Sequence, residues 1–265
     1  MSAPLRMQQR LANDELAISL ALYQARTPDI PMMAAACGFD AINVDLEHTA
    51  TSLETASMLC VAAIGSGLTP FVRVPSAEPH LLTRVLDTGA VGVIVPHISS
   101  AAAARAAVEM CRFPPLGQRS VGGTNPTTGY APLAFSELTA TIQDQTIVAA
   151  MIESVAGVDD IAAIAEVEGL DMLLLGPHDL TAEMGIYGAF EDRRFLEAAT
   201  AVASAARAAG KIFGIAGIKD EGLITNFVNQ GLRYISAGTD AGLFMEAATG
   251  RVRSLRGIAP TPSRP

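Results

Sequence analysis

The chain has 265 residues, half of them hydrophobic, with 18 basic against 27 acidic side chains and a formal charge of −9, a length that suits one large domain such as an α/β barrel. An acidic long-range field without a basic run argues against nucleic acid or anionic membrane as partners, and no apolar run approaches the roughly 18 residues of a membrane span. Cys37, Cys60 and Cys111 stand alone among apolar neighbours and the N-terminus lacks a secretory pattern, so the expectation is a cytoplasmic protein with free thiols.

Eight short apolar runs follow one another along the chain, at 16–22, 41–46, 70–74, 92–96, 147–153, 171–176, 212–216 and 233–237. Most are continuous (AINV, FVRV, VGVIV, VAAMI, MLLL), as expected of parallel strands covered on both faces. The segments between them carry helical periodicity, as in Leu53, Ala56, Leu59, Cys60 and Ala63 or in Phe195, Ala198, Ala199 and Val202. Eight alternating units predict a closed (β/α)8 TIM barrel over residues 1–257, with a disordered tail at 258–265 and an open doubly wound sheet as the competing arrangement. The stretch 112–144, rich in Pro, Gly and Thr, exceeds an ordinary connection and is a candidate lid.

In such a barrel the chemistry gathers where the strands end. The second run ends in Asp45-Leu46-Glu47-His48, the third holds Arg73, the fourth ends at His97, the fifth at Glu153, and the sixth leads into Gly176-Pro177-His178-Asp179. Small residues around Ala216 and Gly238 could wall a pocket. Glu153 directly follows an apolar run, where a carboxylate is costly unless paired or bound to a cation. With Asp179 it offers two oxygen ligands that suit an octahedral Mg²⁺ or Mn²⁺ completed by water and substrate; the competing reading is a salt bridge for Glu153 and a helix-capping role for Asp179. Arg73, inside a strand, either pairs with Asp45 or Glu47 or turns a fixed guanidinium to an anionic oxygen. His48 is a candidate base, with Asp45 or Asp87 to orient it. The N–H groups of His178 and Asp179 open a helix and could face a substrate carboxylate. No dinucleotide fingerprint, Walker A pattern or Gly-x-Ser-x-Gly occurs.

The segments FDAINVDLEH at 39–48, PFVRVPS at 70–76, RVLDTGAVGVIVPHISSAAAAR at 84–105, RFPPLGQRSVGG at 112–123, MIESVAGVDDIAAIAEVEGLDMLLLGPHDLTAEMG at 151–185 and YISAGTDAGLF at 234–244 resemble, in the same order, the HpcH/HpaI aldolase family of metal-dependent (class II) pyruvate aldolases. The resemblance implies that Glu153 and Asp179 hold a divalent metal (Mg²⁺, Mn²⁺ or Co²⁺) and that Arg73 binds the C2 oxygen of pyruvate or its enolate. It also implies that His48 is the base, held by Asp45 and by Asp87, the latter reaching in from a neighbouring subunit. Gly176, His178, Asp179 and Ala216 are the expected substrate contacts. The implied reaction is cleavage of a 4-hydroxy-2-oxo acid to pyruvate and an aldehyde, in a homohexamer that exchanges its C-terminal helix as a trimer of dimers. Met151 where the family commonly has Gln, His178 in place of a small residue and the text after Gly123 depart from that pattern. They keep oxaloacetate decarboxylation, citrate-type condensation and a non-catalytic scaffold barrel as alternatives. The 18 basic residues comprise 16 Arg and only Lys211 and Lys219, which speaks against Schiff-base chemistry because only Lys219 follows a strand.

Overall fold

The computed structural model describes residues 4–258. Its chain runs α1 (Arg6–Ala12), β1 (Ala17–Leu22), α2 (Asp29–Ala36), β2 (Ala41–Asp45), α3 (Leu53–Gly65), β3 (Thr69–Arg73), α4 (Pro79–Asp87), β4 (Gly92–Val95), α5 (Ala101–Cys111), α6 (Phe135–Gln145), β5 (Ile147–Ile152), α7 (Val155–Asp159), α8 (Ile161–Ala165), β6 (Met172–Leu175), α9 (Pro177–Glu183), α10 (Arg193–Ala208), β7 (Ile212–Ala216), α11 (Glu221–Asn229), β8 (Leu232–Thr239) and α12 (Asp240–Arg256). Every adjacent strand pair is parallel, and β1 closes the ring against β8. The expected (β/α)8 barrel is therefore present. The expected tail disorder falls on 259–265, outside the described residues, save for Ile258, which is exposed.

The apolar runs look in two directions because successive strand side chains alternate. One set, including Ile42, Val44, Val72, Val93, Val148, Leu173 and Ile215, packs outward against the helices. The other, including Phe71, Ile94, Ala149, Met151, Met172, Leu174 and Tyr234, fills the barrel, with Met7 of α1 added to it. Gly92 is fixed by this interior: a Cβ there would lie 2.2 Å from the Phe71 ring, so the missing side chain on β4 makes room for the aromatic ring on β3. Above these layers, Ser52, Ser100, Ser154 and Thr239 each accept an N–H bond at the start of the helix that follows a strand. These caps hold the connections at the C-terminal rim in place.

Two outer features differ from a simple barrel. The candidate lid is not at the rim: residues 112–134 follow α5 and precede α6 and β5, so they belong to a helix-to-strand connection, at the opposite end from the strand C-termini. There Arg112 donates to the carbonyls of Gln143, Thr146 and Gly169, and its length is absorbed by packing Phe113, Leu138 and Ile142 together. In addition, α12 has no buried residue along its 17 positions and exposes Leu243, Phe244, Met245, Val252 and Leu255. It touches the barrel through β1 and β8, and Ile18 on β1 is 37% exposed.

Candidate active site at the barrel mouth

Asp45, at the end of β2, is fully buried. Its Oδ1 accepts the backbone N–H groups of Glu47 and His48, both at 2.8 Å, and its Oδ2 accepts Nε–H of Arg73 at 2.9 Å together with Nη2–H. Asp45 thus shapes the turn that carries His48 and clamps Arg73; it makes no hydrogen bond with the His48 ring, the partnership expected from the sequence. Arg73 also donates from Nη2 to the Tyr23 hydroxyl at 2.7 Å and lies 3.2 Å by Nη1 from Glu47 Oε2. Burial works against its charge, but the hydrogen bond and charge of Asp45 more than offset this, so its pKa is raised. A guanidinium has five N–H donors, and these contacts leave one Nη1 donor for a ligand.

On the opposite wall, Glu153 is 4% exposed. Its Oε1 accepts the His97 N–H at 2.7 Å and lies 2.9 Å from His97 Nδ1, while His97 Nε2 lies 2.9 Å from Glu47 Oε1. His97 has φ 57°, a left-handed conformation uncommon outside glycine, which brings its N–H and ring to the same carboxylate. Burial raises the Glu153 pKa; His97 lowers it, and the charges of Asp179 and Glu47 raise it further. Among the described residues no Arg or Lys pairs with Glu153; its side-chain partner is His97, rather than the Arg of the salt-bridge reading. Asp179 sits in the first turn of α9 with Gly176, not itself, at the N-cap. Gly176 is required here because a Cβ would meet Glu153 Cβ at 2.8 Å and Oε2 at 2.9 Å.

Tyr23, His48, Arg73, Glu153, Gly176, His178, Asp179 and Ala216 line one cavity of about 310 Å³ whose deep end is formed by Asn43, Ile94, Met151, Leu174 and Tyr234. His48, with its side chain 54% exposed, lies 3.6 Å from Glu47 Oε2. The His178 ring stands edge-on to Phe190 and against Gly217, where a Cβ would come within 2.6 Å of it. Asp87 is absent from this wall: it ends α4 and pairs with Arg119 at 2.7 Å, on the far side of the same barrel. Lys211 precedes β7 and donates to the Val167 carbonyl, and Lys219 does not line the cavity.

Glu153 Oε2 and the Asp179 carboxylate have no hydrogen-bond partner among the described residues, and no cluster of three or more His, Cys, Asp or Glu converges there as a closed metal cage. Glu153 Oε2 and Asp179, with room for water and substrate, fit a hard divalent cation, which keeps part of its own shell. Tyr23 and His97 are site residues that the sequence reading left without a role, and Glu47 entered only as one alternative ion-pair partner of Arg73, a contact that is present at 3.2 Å. Glu47 stood inside the Asp-x-Glu-His motif, Tyr23 directly follows β1 and His97 lies two residues past the end of β4, which was the available signal.

Comparison with known proteins decides the lineage. HpcH/HpaI aldolase/citrate lyase matches residues 21–247. The chain belongs to this family. Its relatives include a 4-hydroxy-4-methyl-2-oxoglutarate aldolase of Hapsidospora irregularis, 38% identical over 94% of this chain and 95% of that protein, and one of Chaetomium globosum, 41% identical over 79% and 78%. The crystal structure of an HpcH/HpaI aldolase from Desulfitobacterium hafniense DCB-2 superposes with TM-score 0.89 at 29% identity, covering 98% of this chain and all of that one. This HpcH/HpaI chain is accordingly an aldolase-class lyase, from a family that works with divalent metals. Among its described residues no helix is long and apolar enough to cross a membrane.

Proposed function

We propose that this HpcH/HpaI protein cleaves a 4-hydroxy-2-oxo acid to pyruvate and an aldehyde, and runs the same reaction in reverse. The observation that carries the reading is the opposition of two carboxylates, Glu153 with its Oε2 free and Asp179, to a guanidinium immobilised by Asp45, Glu47 and Tyr23. Mg²⁺, Mn²⁺ or Co²⁺ held by Glu153 and Asp179 would supply Lewis-acid polarisation of the oxo acid. Arg73 keeps its remaining N–H for the C2 oxygen, where charge grows as the bond breaks. A fixed donor of this kind is typically worth about 3 kcal/mol, roughly a hundredfold in rate, because no reorganisation accompanies the step.

His48 is the base. It removes the C4 hydroxyl proton, directly or through a water, as the C3–C4 bond opens; the C4 oxygen becomes the aldehyde carbonyl and the bonding pair moves through C3 to the C2 oxygen. Protonation of C3 then completes pyruvate. The first-turn N–H groups of His178 and Asp179 form no backbone bond and are available to the substrate carboxylate. An assay coupling pyruvate release to lactate dehydrogenase tests the reading: EDTA should abolish turnover and the three metals restore it, whereas full activity after stripping would remove the metal from the mechanism.

The assembly proposed is a homo-oligomer, a hexamer built as a trimer of dimers. A helix with five exposed large apolar residues and none buried supports exchange of α12 between subunits, since that surface is costly in water. In such an assembly Asp87 would serve a neighbour's pocket rather than its own.

A further inference from the structure

Asp240 follows β8 directly and opens α12, and its carboxylate takes no part in the contacts described so far. Strands β1 and β8 close the ring, and their parallel register sets Ala21 opposite Thr239. The residue after Thr239 therefore stands at the rim beside the loop that leaves β1. Asp240 Oδ1 accepts the N–H of Tyr23 at 3.0 Å and that of Ala241 at 2.7 Å, while Oδ2 accepts those of Gln24 at 2.9 Å and Ala25 at 2.6 Å. Three successive backbone N–H groups of one loop thus end on a single side chain from the other end of the fold. Converging N–H groups of this kind favour an anion. Burial works against the Asp240 charge, but the four N–H bonds outweigh it and lower its pKa. Helix capping does not account for the arrangement, because Thr239 already caps α12 by accepting the Gly242 N–H at 2.9 Å.

The loop held in this way carries Tyr23, its first residue. The Tyr23 hydroxyl accepts from Arg73 Nη2 at 2.7 Å, its ring centre lies 6.0 Å from the guanidinium carbon, and the side chain lines the cavity. The other two groups that fix Arg73 belong to β2 and the turn after it: Asp45 ends the strand, and Glu47 is held by the Asp45 carboxylate through its own N–H. Tyr23 has no such strand beneath it. Arg26 braces the loop from within, donating to the Tyr23 carbonyl at 3.0 Å and the Ala25 carbonyl at 3.4 Å. Among the described residues, Asp240 is the one side chain from outside the loop that bonds to its backbone. A donor stabilises developing charge well only when it is held before the reaction begins. The hold on Arg73 therefore runs through the Tyr23 hydroxyl and backbone to the first residue of α12.

We propose that Asp240 is a positioning residue for Arg73: by clamping the backbone of Tyr23 it holds in place the hydroxyl that fixes the guanidinium. This rests on the aldolase reading above, in which Arg73 faces the C2 oxygen, and adds to it a side chain that touches no substrate. The test is a double-mutant cycle of Asp240→Asn and Tyr23→Phe. It is read as deuterium uptake at the pyruvate methyl group without aldehyde, with whichever of Mg²⁺, Mn²⁺ and Co²⁺ supports the fastest wild-type uptake. Asparagine keeps the size of the side chain but sets an NH2 group, which only donates, against backbone donors. Asp240→Asn should lower kcat/KM by about threefold to tenfold. The loss should fall on kcat rather than KM, because Arg73 acts on charge that grows during the reaction. In the Tyr23→Phe background the same change should lower kcat/KM by less than about twofold, since the tether it acts through is already gone. Equal losses in the two backgrounds would overturn the proposal and make Asp240 a general support of the rim. Activity within twofold of wild type for folded Asp240→Asn would overturn it as well. Asp240→Glu, which keeps the charge but displaces it by one methylene, passes through the same cycle with the same expectation if Asp240→Asn does not fold. Absence of uptake by the wild type with all three metals would overturn the aldolase reading together with this one, and that outcome appears before any variant is compared.

Discussion

Arg73 is held on three sides, by Asp45, Glu47 and Tyr23, and a lysine cannot reproduce that hold because its ammonium is a single point on a flexible stem. Arg73→Lys should therefore lower kcat/KM by about a hundredfold. Tyr23→Phe, which removes one of the three tethers, should lower it by about threefold to tenfold, with steady-state kinetics as the check. Glu153 makes a different prediction. Burial raises its pKa in the folded chain, so stability contributed by its protonated form is lost as pH rises through the folded value. Glu153→Gln should consequently raise the Tm of the metal-stripped protein at neutral pH while removing its stabilisation by Mn²⁺; a lower Tm would show that the charge is already compensated. The principal side chains were legible in the sequence because a carboxylate or guanidinium at the end of an apolar run is conspicuous. Their partners were not. Whether Asp45 meets a His ring or a backbone N–H, and whether His97 spans Glu47 and Glu153, depends on ring closure and on one left-handed φ that no spacing reveals.

At the scale of elements, two glycines carry the geometry. Gly176→Ala should leave the barrel folded but displace Glu153, since the new Cβ would sit 2.8 Å from its Cβ, and turnover should fall more than tenfold. Gly92→Ala faces the Phe71 ring at 2.2 Å and should instead destabilise the fold by about 1–3 kcal/mol, the usual cost of overpacking, measured by denaturant unfolding. All eight strands were legible, because runs covered on both faces stay apolar from end to end. The segment 112–144 shows where that legibility stops. Its composition announced a structured loop, but the face it occupies follows from its coming after a helix rather than after a strand, and that places it away from the mouth.

For the whole molecule, the exposed side of α12 is the feature a single chain leaves unexplained. Phe244→Glu, at a residue 70% exposed, should shift the proposed hexamer toward smaller species in light scattering after gel filtration; an unchanged mass would place the interface elsewhere. The charge of −9 is not a guide to the substrate, because the cation proposed for Glu153 and Asp179 would, together with Arg73, reverse the field where the anion binds. The central claim is that these groups make an enolate of a 2-oxo acid. Hydrogen exchange at the methyl group of pyruvate in D2O, followed by NMR without any aldehyde, addresses it directly. Exchange should require added Mg²⁺, Mn²⁺ or Co²⁺ and fall at least a hundredfold in Glu153→Gln; exchange that persists at full rate in EDTA, or in that variant, would contradict the account.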